Sequence, residues 1–560
     1  MARDALTSGP APEADEVTGP SVAPEDVDAP PEDGAPRSVG RAAAGMGVAA
    51  AVSRALGGAR VIVVAAVLGT SFLGNTFEAS NTLPTVVFEL LAAGALSAVL
   101  VPSFVELFDR GDQREAERQA GGLLGIFLVV LGTLTVLGMV FAPLLADLLT
   151  SAVPDPAVAA QQQELATTLL RFFLPQLVLY AFGFLSIALL NAKRVFALPA
   201  AAPIGSTVVI VASMVVFAAM AGTDPGLQLT TAEIVVLGLG GTLGVAAFVG
   251  IPMFDLHRRG FRLRPRFTPK DPAVLKLLSL SSWAVLQHTG AALLLGAAII
   301  LGGAVEGGVV AYRVAFYVFL APYGVLAQPI HTTVTPELAT DVANGDLPSY
   351  ARAVRWGLDA LSVTILPVSA ALYALSVPMM AVIAFGEADS PRGIELMAAA
   401  TASLALGLFA YGAFRLLAGA FYALGDSRTP AVVAVTSAVV GVGFMLVAST
   451  LSEGTSTIYL LGIGHTVAFL LGALVLGVGL RRRIHEPLFP RAFPLSLVVS
   501  AALALGAWLV VRAVDPSSRI EDLVVLAGVG VVGLGLWWLA VKVLRLAPEK
   551  LTIHTPVATA

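Results

Sequence analysis

Cysteine is absent from the 560 residues, which excludes disulfides, thiolate metal sites and cysteine nucleophiles. Charge is scarce too: 13% of residues are charged, against about 25% in soluble domains. With 57% hydrophobic residues, the main solvent of this fold is lipid. The start also lacks the basic residues and short apolar core of a signal peptide. Instead, residues 1–38 hold nine acids (Asp4, Glu13, Asp15, Glu16, Glu25, Asp26, Asp28, Glu32 and Asp33) against Arg3 and Arg37. That segment contributes −7 to a formal net charge of −5, so the membrane body carries +2. Residues 1–40, rich in Pro, Ala and acids, read as a disordered cytoplasmic tail, because they offer too little apolar surface to offset the entropy of ordering.

Apolar runs fill the remainder. A helix crossing the ~30 Å hydrocarbon layer needs about 20 apolar residues. Such runs occur at 42–68, 75–107, 121–148, 164–191, 197–221, 232–255 and 274–301. Seven more follow at 308–338, 350–384, 393–423, 429–450, 456–480, 491–512 and 521–545. The expected fold is all-α, a polytopic membrane protein with about 14 transmembrane helices. Several runs exceed the minimum, which predicts tilt, protrusion into water or kinks at Pro84, Pro175, Pro322 and Pro367.

Basic residues occupy alternate gaps. With the amino terminus inside, cytoplasmic gaps hold Arg110, Arg114, Arg118, Lys193 and Arg194. The longest carries Arg258, Arg259, Arg262, Arg264, Arg266 and Lys270, and later ones carry Arg352, Arg428, Arg481, Arg482, Arg483 and Arg491. The intervening gaps offer only Arg392 and Arg519. This positive-inside bias puts both termini in the cytoplasm. The clusters at 258–266 and 481–483 are read as topology and anionic-lipid contacts.

The chain also repeats itself. The fourth run ends in Leu190-Asn191-Ala192-Lys193-Arg194 and the next begins with Pro199. The tenth ends in Ala423-Leu424-Gly425-Asp426-Ser427-Arg428, followed by Pro430. Leu83-Pro84 and Val101-Pro102 of the second run match Ala321-Pro322 and Thr335-Pro336 of the eighth. An even offset of six helices means like-oriented repeats, hence two pseudo-symmetric six-helix bundles plus two extra C-terminal helices. The expected organisation is a tail (1–40), an N-terminal bundle (41–256), a basic linker (257–273) and a C-terminal bundle (274–483). Spans 13 and 14 (484–546) and a cytoplasmic tail (547–560) complete it. Two facing bundles enclose a central cavity, the architecture of an alternating-access carrier.

Charged side chains at membrane depth cost roughly 2.5–3.5 kcal/mol each on insertion scales and normally face a bundle interior or water. Asn75, Glu78, Thr82, Thr85 and Glu89 share one face of the second span by their spacing. Arg313, Tyr317, Gly324, Gln328, His331 and Thr335 form a similar stripe on the eighth. Arg54 and Arg60 stand beside Ser53, Gly57 and Gly58 on the first, while Arg171 and Arg415 lie in the fourth and tenth. The candidate substrate-binding residues are Arg54, Arg60, Asn75, Glu78, Arg313, Tyr317, Gln328 and Arg415. For Arg60 and Arg313 the competing reading is ion pairing with Glu78 or Glu89, and for Arg54 and Arg171 it is snorkelling to an interface. His288, His331, His465, Gln287 and Gln328 are expected to link helices by hydrogen bonds. An arginine-lined cavity favours a phosphorylated or otherwise anionic head group, since the guanidinium fork binds oxygens in pairs and stays charged. The acids of the second span oppose that attraction. No metal, cofactor or nucleic-acid partner is expected.

Several stretches resemble the MurJ/MviN family of lipid II flippases, within the larger group that includes MATE exporters and polysaccharide flippases. Ser53-Arg54-Ala55-Leu56-Gly57-Gly58-Ala59-Arg60 is similar to that family's first-helix S-R-x-L-G-x-x-R. Others are Leu83-Pro84 with Gly94-Ala95-Leu96-Ser97 and Val101-Pro102, and Leu170-Arg171-Phe172-Phe173-Leu174-Pro175 with Leu190-Asn191. Pro322-Tyr323-Gly324-Val325-Leu326, Arg355-Trp356-Gly357-Leu358 and Phe421 through Pro430 extend it in unbroken order to about Arg483. The resemblance implies transport of a lipid-linked peptidoglycan precursor across the bacterial cytoplasmic membrane. Cavity arginines would draw in the diphosphate and sugar while the polyprenyl tail stays in lipid, in a groove involving the two extra helices. By position Arg54, Arg60 and Arg415 match basic residues of the family. Thr85 stands where the family commonly has Asn, Phe88-Glu89 where it has a basic pair, and Tyr317 where it has an arginine. Arg313 lies one turn earlier on the same face. An acid near the start of the second helix is Asn75 here, with Glu78 one turn on.

Two other transport readings remain open, a MATE-like cation or drug antiporter using Glu78 and Glu89 and a flippase for a different lipid-linked polysaccharide. A non-transporting scaffold is a third alternative. Cell-wall synthesis proteins are possible partners of the cytoplasmic tail. An enzyme would need acid–base residues in a sizeable loop outside the membrane. The longest such gap runs only from Thr150 to Gln163, so no catalysis is expected.

Overall fold

Inside a bilayer the backbone has no water to bond, so a spanning segment must close its hydrogen bonds within itself, as a helix does. The computed structural model describes residues 56–90, 100–223 and 225–547, without the side chains of Ala197, Ala273, residues 276–284 and Gln287. All its regular elements are helical. Arg54, the amino-terminal tail and residues 548–560 lie outside the described residues.

The first half begins with α1 (Leu56–Leu68), α2 (Phe72–Phe88) and α3 (Val101–Asp109). The third span is α4 (Gln113–Val140), extended by α5 (Ala142–Thr150). The fourth is α6 (Pro156–Phe173) followed by α7 (Gln176–Ala192), interrupted at Leu174 and Pro175. Pro175 has no N–H to continue the ladder. Next come α8 (Ala197–Ala221) and α9 (Thr231–Arg258), the latter opened by a capping box between Thr230 and Glu233. The second half holds α10 (Pro272–Gly302), α11 (Gly308–Pro322) and α12 (Gln328–Ala343). After Pro322 the eighth span loosens into a π-helical turn, Tyr323–Ala327, as expected where a proline breaks the regular bonding. Then follow α13 (Leu347–Ala374), α14 (Ser376–Ile383), α15 (Pro391–Ala405) and α16 (Leu408–Ala423). The chain continues through α17 (Arg428–Thr450), α18 (Thr455–Ile484), α19 (Phe493–Val514) and α20 (Arg519–Val543).

Among the described residues ten helices are long and apolar enough to span, or eleven counting the pair α15 and α16, which is bent by 43°. The first, second and seventh expected spans are occupied by α1, by α2 with α3, and by α10. The packing repeats with the offset of six seen in the sequence. In the first half α2 packs on α6, α7 on α9 and α8 on α9. In the second, α11 packs on α15, α16 on α18 and α17 on α18. Helix α1 joins the two: Val61 and Ala65 belong to the core of the second half, Val64 and Leu68 to a core with Phe77, Phe173 and Phe217. Outside the repeat, α19 covers α13 and α20 covers α14. Both present large apolar side chains outward, including Leu505, Leu509, Val531 and Leu534. Trp508 with Arg512 and Trp538 with Lys542 form cation–π pairs near the ends of these antiparallel helices, the placement of interfacial anchors.

The basic stretch between α9 and α10 is seated on α4. Arg266 N–H donates to Gly121 O (2.8 Å), and Arg262 N–H donates to the Glu117 carboxylate (3.2 Å). Arg118 pairs with Asp271. A Cβ at Gly125 would overlap the carbonyl of Arg266, so only glycine lets the strap lie this close. Gly125→Val is expected to lower stability by about 1–3 kcal/mol, the usual penalty of overpacking. Thermal unfolding in detergent measures it, and an unchanged midpoint would show that the strap is not tightly seated.

Candidate functional site

Arginine and carboxylate side chains inside an apolar bundle must find each other or water, and here they meet where α1, α2, α8 and α11 converge. Arg60 donates to Ser206 Oγ of α8 (3.3 Å) and to the Tyr317 hydroxyl of α11 (3.1 Å). The first contact stays in its own half and the second crosses to the other. Gly57, one turn from Arg60, also faces Tyr317, whose ring is 4.0 Å from where a Cβ would stand, an ordinary contact that a small side chain could make. One turn back on α11, Arg313 donates through Nε to Glu78 Oε2 of α2 (3.2 Å). Their side chains are only 14% and 6% exposed. The Arg313 guanidinium also lies 5.5 Å from the centre of the Tyr317 ring. A continuous path thus runs Ser206, Arg60, Tyr317, Arg313, Glu78 across both halves.

Glu89, three turns beyond Glu78 on the second span, is half-buried and within electrostatic reach of Arg313. Among the described residues its side chain makes no hydrogen bond or ion pair. Tyr180 of α7 meets the Thr85 hydroxyl at 3.0 Å and packs its ring 5.3 Å from that of Phe88. Counting Arg60, Arg313, Glu78 and Glu89 as ionised, the cluster is formally neutral.

Asn75 serves a different purpose. Its amide donates to Val305 O (2.8 Å) and accepts from Val309 N–H (2.9 Å), fully buried. It therefore pins the α10–α11 turn of the second half onto α2 of the first. Gly307, in that turn, has φ +74° and would collide with Thr70 if it carried a side chain. At this end the halves are closed against each other.

Arg415 and Gln328 lie apart from the network and are exposed. Around Arg415 are Tyr323, Tyr411 and Tyr422, with His288 and His331 also in electrostatic reach. The rings of Tyr323 and Tyr411 are 4.7 Å apart, and the Tyr323 hydroxyl meets His331 Nδ1 at 3.2 Å. His465 bonds Tyr312 between α18 and α11 (2.5 Å), a helix link. A separate groove of about 910 Å³ opens on the flank, among α14, α15, α19 and α20. Val377, Ile394 and Trp508 line it, with Arg512, Arg519 and Asp389 at its polar rim.

Of the sequence-predicted residues, the structure brings together Arg60, Glu78, Arg313 and Tyr317, with Asn75 one turn away. Arg313 takes the Glu78 ion pair that was its alternative, whereas Arg60 takes hydroxyl partners and, among the described residues, no carboxylate. Ser206 and Tyr180 were missed. Polar singletons in apolar helices were the available signal, but spacing on one helix cannot reveal a partner on another.

Over residues 64–519 the chain matches the family model described as lipid II flippase MurJ. It is 28% identical over 437 residues to a probable lipid II flippase MurJ of Rhizobium tropici, covering 77% of this chain and 79% of that relative. A solved lipid II flippase MurJ in an inward closed conformation superposes with a TM-score of 0.70 at 18% identity, covering 89% of this chain and 98% of that one. An inward-facing MATE family multidrug transporter does so with a TM-score of 0.61 at 15% identity, covering 78% and 94%. The last two likenesses concern the fold.

Asn75→Ala leaves the buried Val309 N–H unpaired and takes from Val305 O one of its two donors, the other being the Gly308 N–H. An unpaired buried group costs about 1–3 kcal/mol, so a clearly lower unfolding midpoint is expected, with Asn75→Asp intermediate because it keeps the bond from Val309. Equal midpoints for all three proteins would refute the clasp.

Proposed function

Because this chain belongs to the MurJ family of lipid II flippases, we propose that its arginines bind the diphosphate of a polyprenyl-linked cell-wall precursor. The protein is a multi-pass inner-membrane flippase of peptidoglycan biosynthesis that moves this lipid from the inner to the outer leaflet by alternating access. The bundles 41–256 and 274–483 rock as two bodies joined by the linker 257–273, and spans 13 and 14 (484–546) add to the second. The arginine bias places both termini in the cytoplasm, so the Asn75 seam faces outward and Arg415 and Gln328 face the entry side. An exposed guanidinium at membrane depth is better placed against water than against acyl chains.

In this reading the head group passes Gln328 and Arg415 and reaches Arg60 and Arg313. Among the described residues Arg60 is held by hydroxyls alone, so its fork can turn to donate to phosphate oxygens in pairs. Arg313 must exchange Glu78 for the diphosphate, a replacement of one charge-assisted contact by another. Arg54 belongs to the same set. The prenyl tail remains in lipid and uses the flank groove beside α19 and α20. Each net charge moved across 100 mV is worth about 2.3 kcal/mol, so the membrane potential favours outward passage of an anionic head group. The precursor is carried and not converted, and the cytoplasmic tail is a place for cell-wall synthesis proteins to bind.

The observation that carries this reading is Arg60 bonded across the seam to Tyr317 beside the Arg313–Glu78 pair. In a strain depleted of the protein, lipid-linked precursor is expected to accumulate on the inner leaflet. Arg60→Ala with Arg313→Ala should fail to relieve it, flipping at least about tenfold more slowly, equivalent to ~1.4 kcal/mol of lost binding. Flipping by the double variant at the parental rate would remove the arginines from the mechanism.

A further inference from the structure

At the place where the chain carries Glu89, an anion carrier gains nothing from a fixed negative charge. Yet Glu89 sits at membrane depth with no bonded partner among the described residues. Facing it among the described residues are Arg313 of α11 and Tyr180 of α7, while Glu78 lies three turns away on the same span. Tyr180 also lies in reach of Arg60 and Tyr317, so one electrostatic neighbourhood includes them all. Among the described residues the cations there are Arg60 and Arg313, and Arg313 is already engaged by Glu78. With Glu89 ionised the cluster of these four described side chains is formally neutral. With Glu89 protonated its charge is +1.

We propose that Glu89 is a proton-binding site coupled to the head-group site, taking up one proton when the anionic head group binds. The inference rests on the flippase reading above. An unpaired carboxylate in apolar surroundings is costly, and an incoming diphosphate makes it costlier, so anion binding and proton uptake favour each other. By linkage the effect is reciprocal: lower pH tightens the anion, and the anion holds the proton. The event is a transfer of H⁺ from water to the Glu89 carboxylate, giving the neutral acid, and its release when the head group leaves. The partner is a disubstituted diphosphate, whose charge stays constant across the pH range that Glu89 spans. One proton travelling with the head group reduces the net negative charge that crosses the membrane by one.

The test uses the full chain in nanodiscs and a short-chain prenyl diphospho-sugar as probe, with affinity measured across pH. For the parent protein, affinity is expected to fall by up to about tenfold per pH unit, the limit for one linked proton. Glu89→Gln, which fixes the neutral form, should bind the probe at neutral pH at least as tightly as the parent does in acid, with no pH slope. Glu89→Asp should restore the slope, separating titration from packing. A slope that persists in Glu89→Gln, or a parent protein with no slope, overturns the proton site and leaves the flippase reading standing. Absence of probe binding by the parent at every pH overturns both.

Discussion

A guanidinium placed in hydrocarbon must be compensated, and the central architecture of this protein follows from how Arg60 and Arg313 satisfy that demand. Each reaches across the seam: Arg60 from the first half to Tyr317, Arg313 from the second to Glu78. The halves are thus joined at their centre by polar contacts, while their own cores are apolar. That division matters for a carrier. Apolar packing is dense and holds each bundle rigid, whereas a hydrogen bond lost at the seam can be replaced by water or by a ligand oxygen at little net cost. Rigid halves with an exchangeable interface are the requirement for rocking between two states.

Glu78 and Glu89 set the difference between this chain and a site made only of cations. A purely basic cavity would hold an anion tightly and release it slowly. A cavity whose arginines already have an internal acid would present the proposed diphosphate with a competitor of similar geometry, bringing binding and release closer in free energy. Buried ion pairs of this kind add little net stability, because desolvation offsets their attraction. Their value is specificity: removing one partner strands the other charge, so only a ligand that replaces the lost contact is accepted.

Much of this was legible beforehand. The spans, their offset of six and the residues Arg60, Glu78 and Arg313 followed from hydropathy and from the cost of charge at membrane depth, both local properties of the chain. The partners were less accessible. Asn75 shares the face of Glu78 by helical spacing, yet its amide bonds main-chain atoms of Val305 and Val309, and a backbone group carries no sequence label. Ser206, next to Thr207 in a largely apolar helix, carried no charge to mark it. Tyr317 was read as a lost arginine position. In the structure its hydroxyl bonds one arginine and its ring lies under another, a combined role that spacing on a single helix cannot express.

The clasp and the ion pair occupy successive rungs of the same two helices. On α2 Asn75 and Glu78 are three residues apart, and on α11 their partners Val309 and Arg313 are four apart, so each pair lies about one helical turn from the next. Such adjacent contacts are not independent, because a shift of α11 large enough to release Arg313 also moves the Val309 N–H away from Asn75. A ligand that draws Arg313 from Glu78 therefore weakens the rung that keeps the outer end shut. Under the proposed function this ladder supplies the differential contact a ligand needs to shift a two-state equilibrium: Glu78 holds Arg313 in the closed arrangement, and the head group would hold it in the other. On that proposal opening would follow from occupancy of the site, with no longer relay through the bundles.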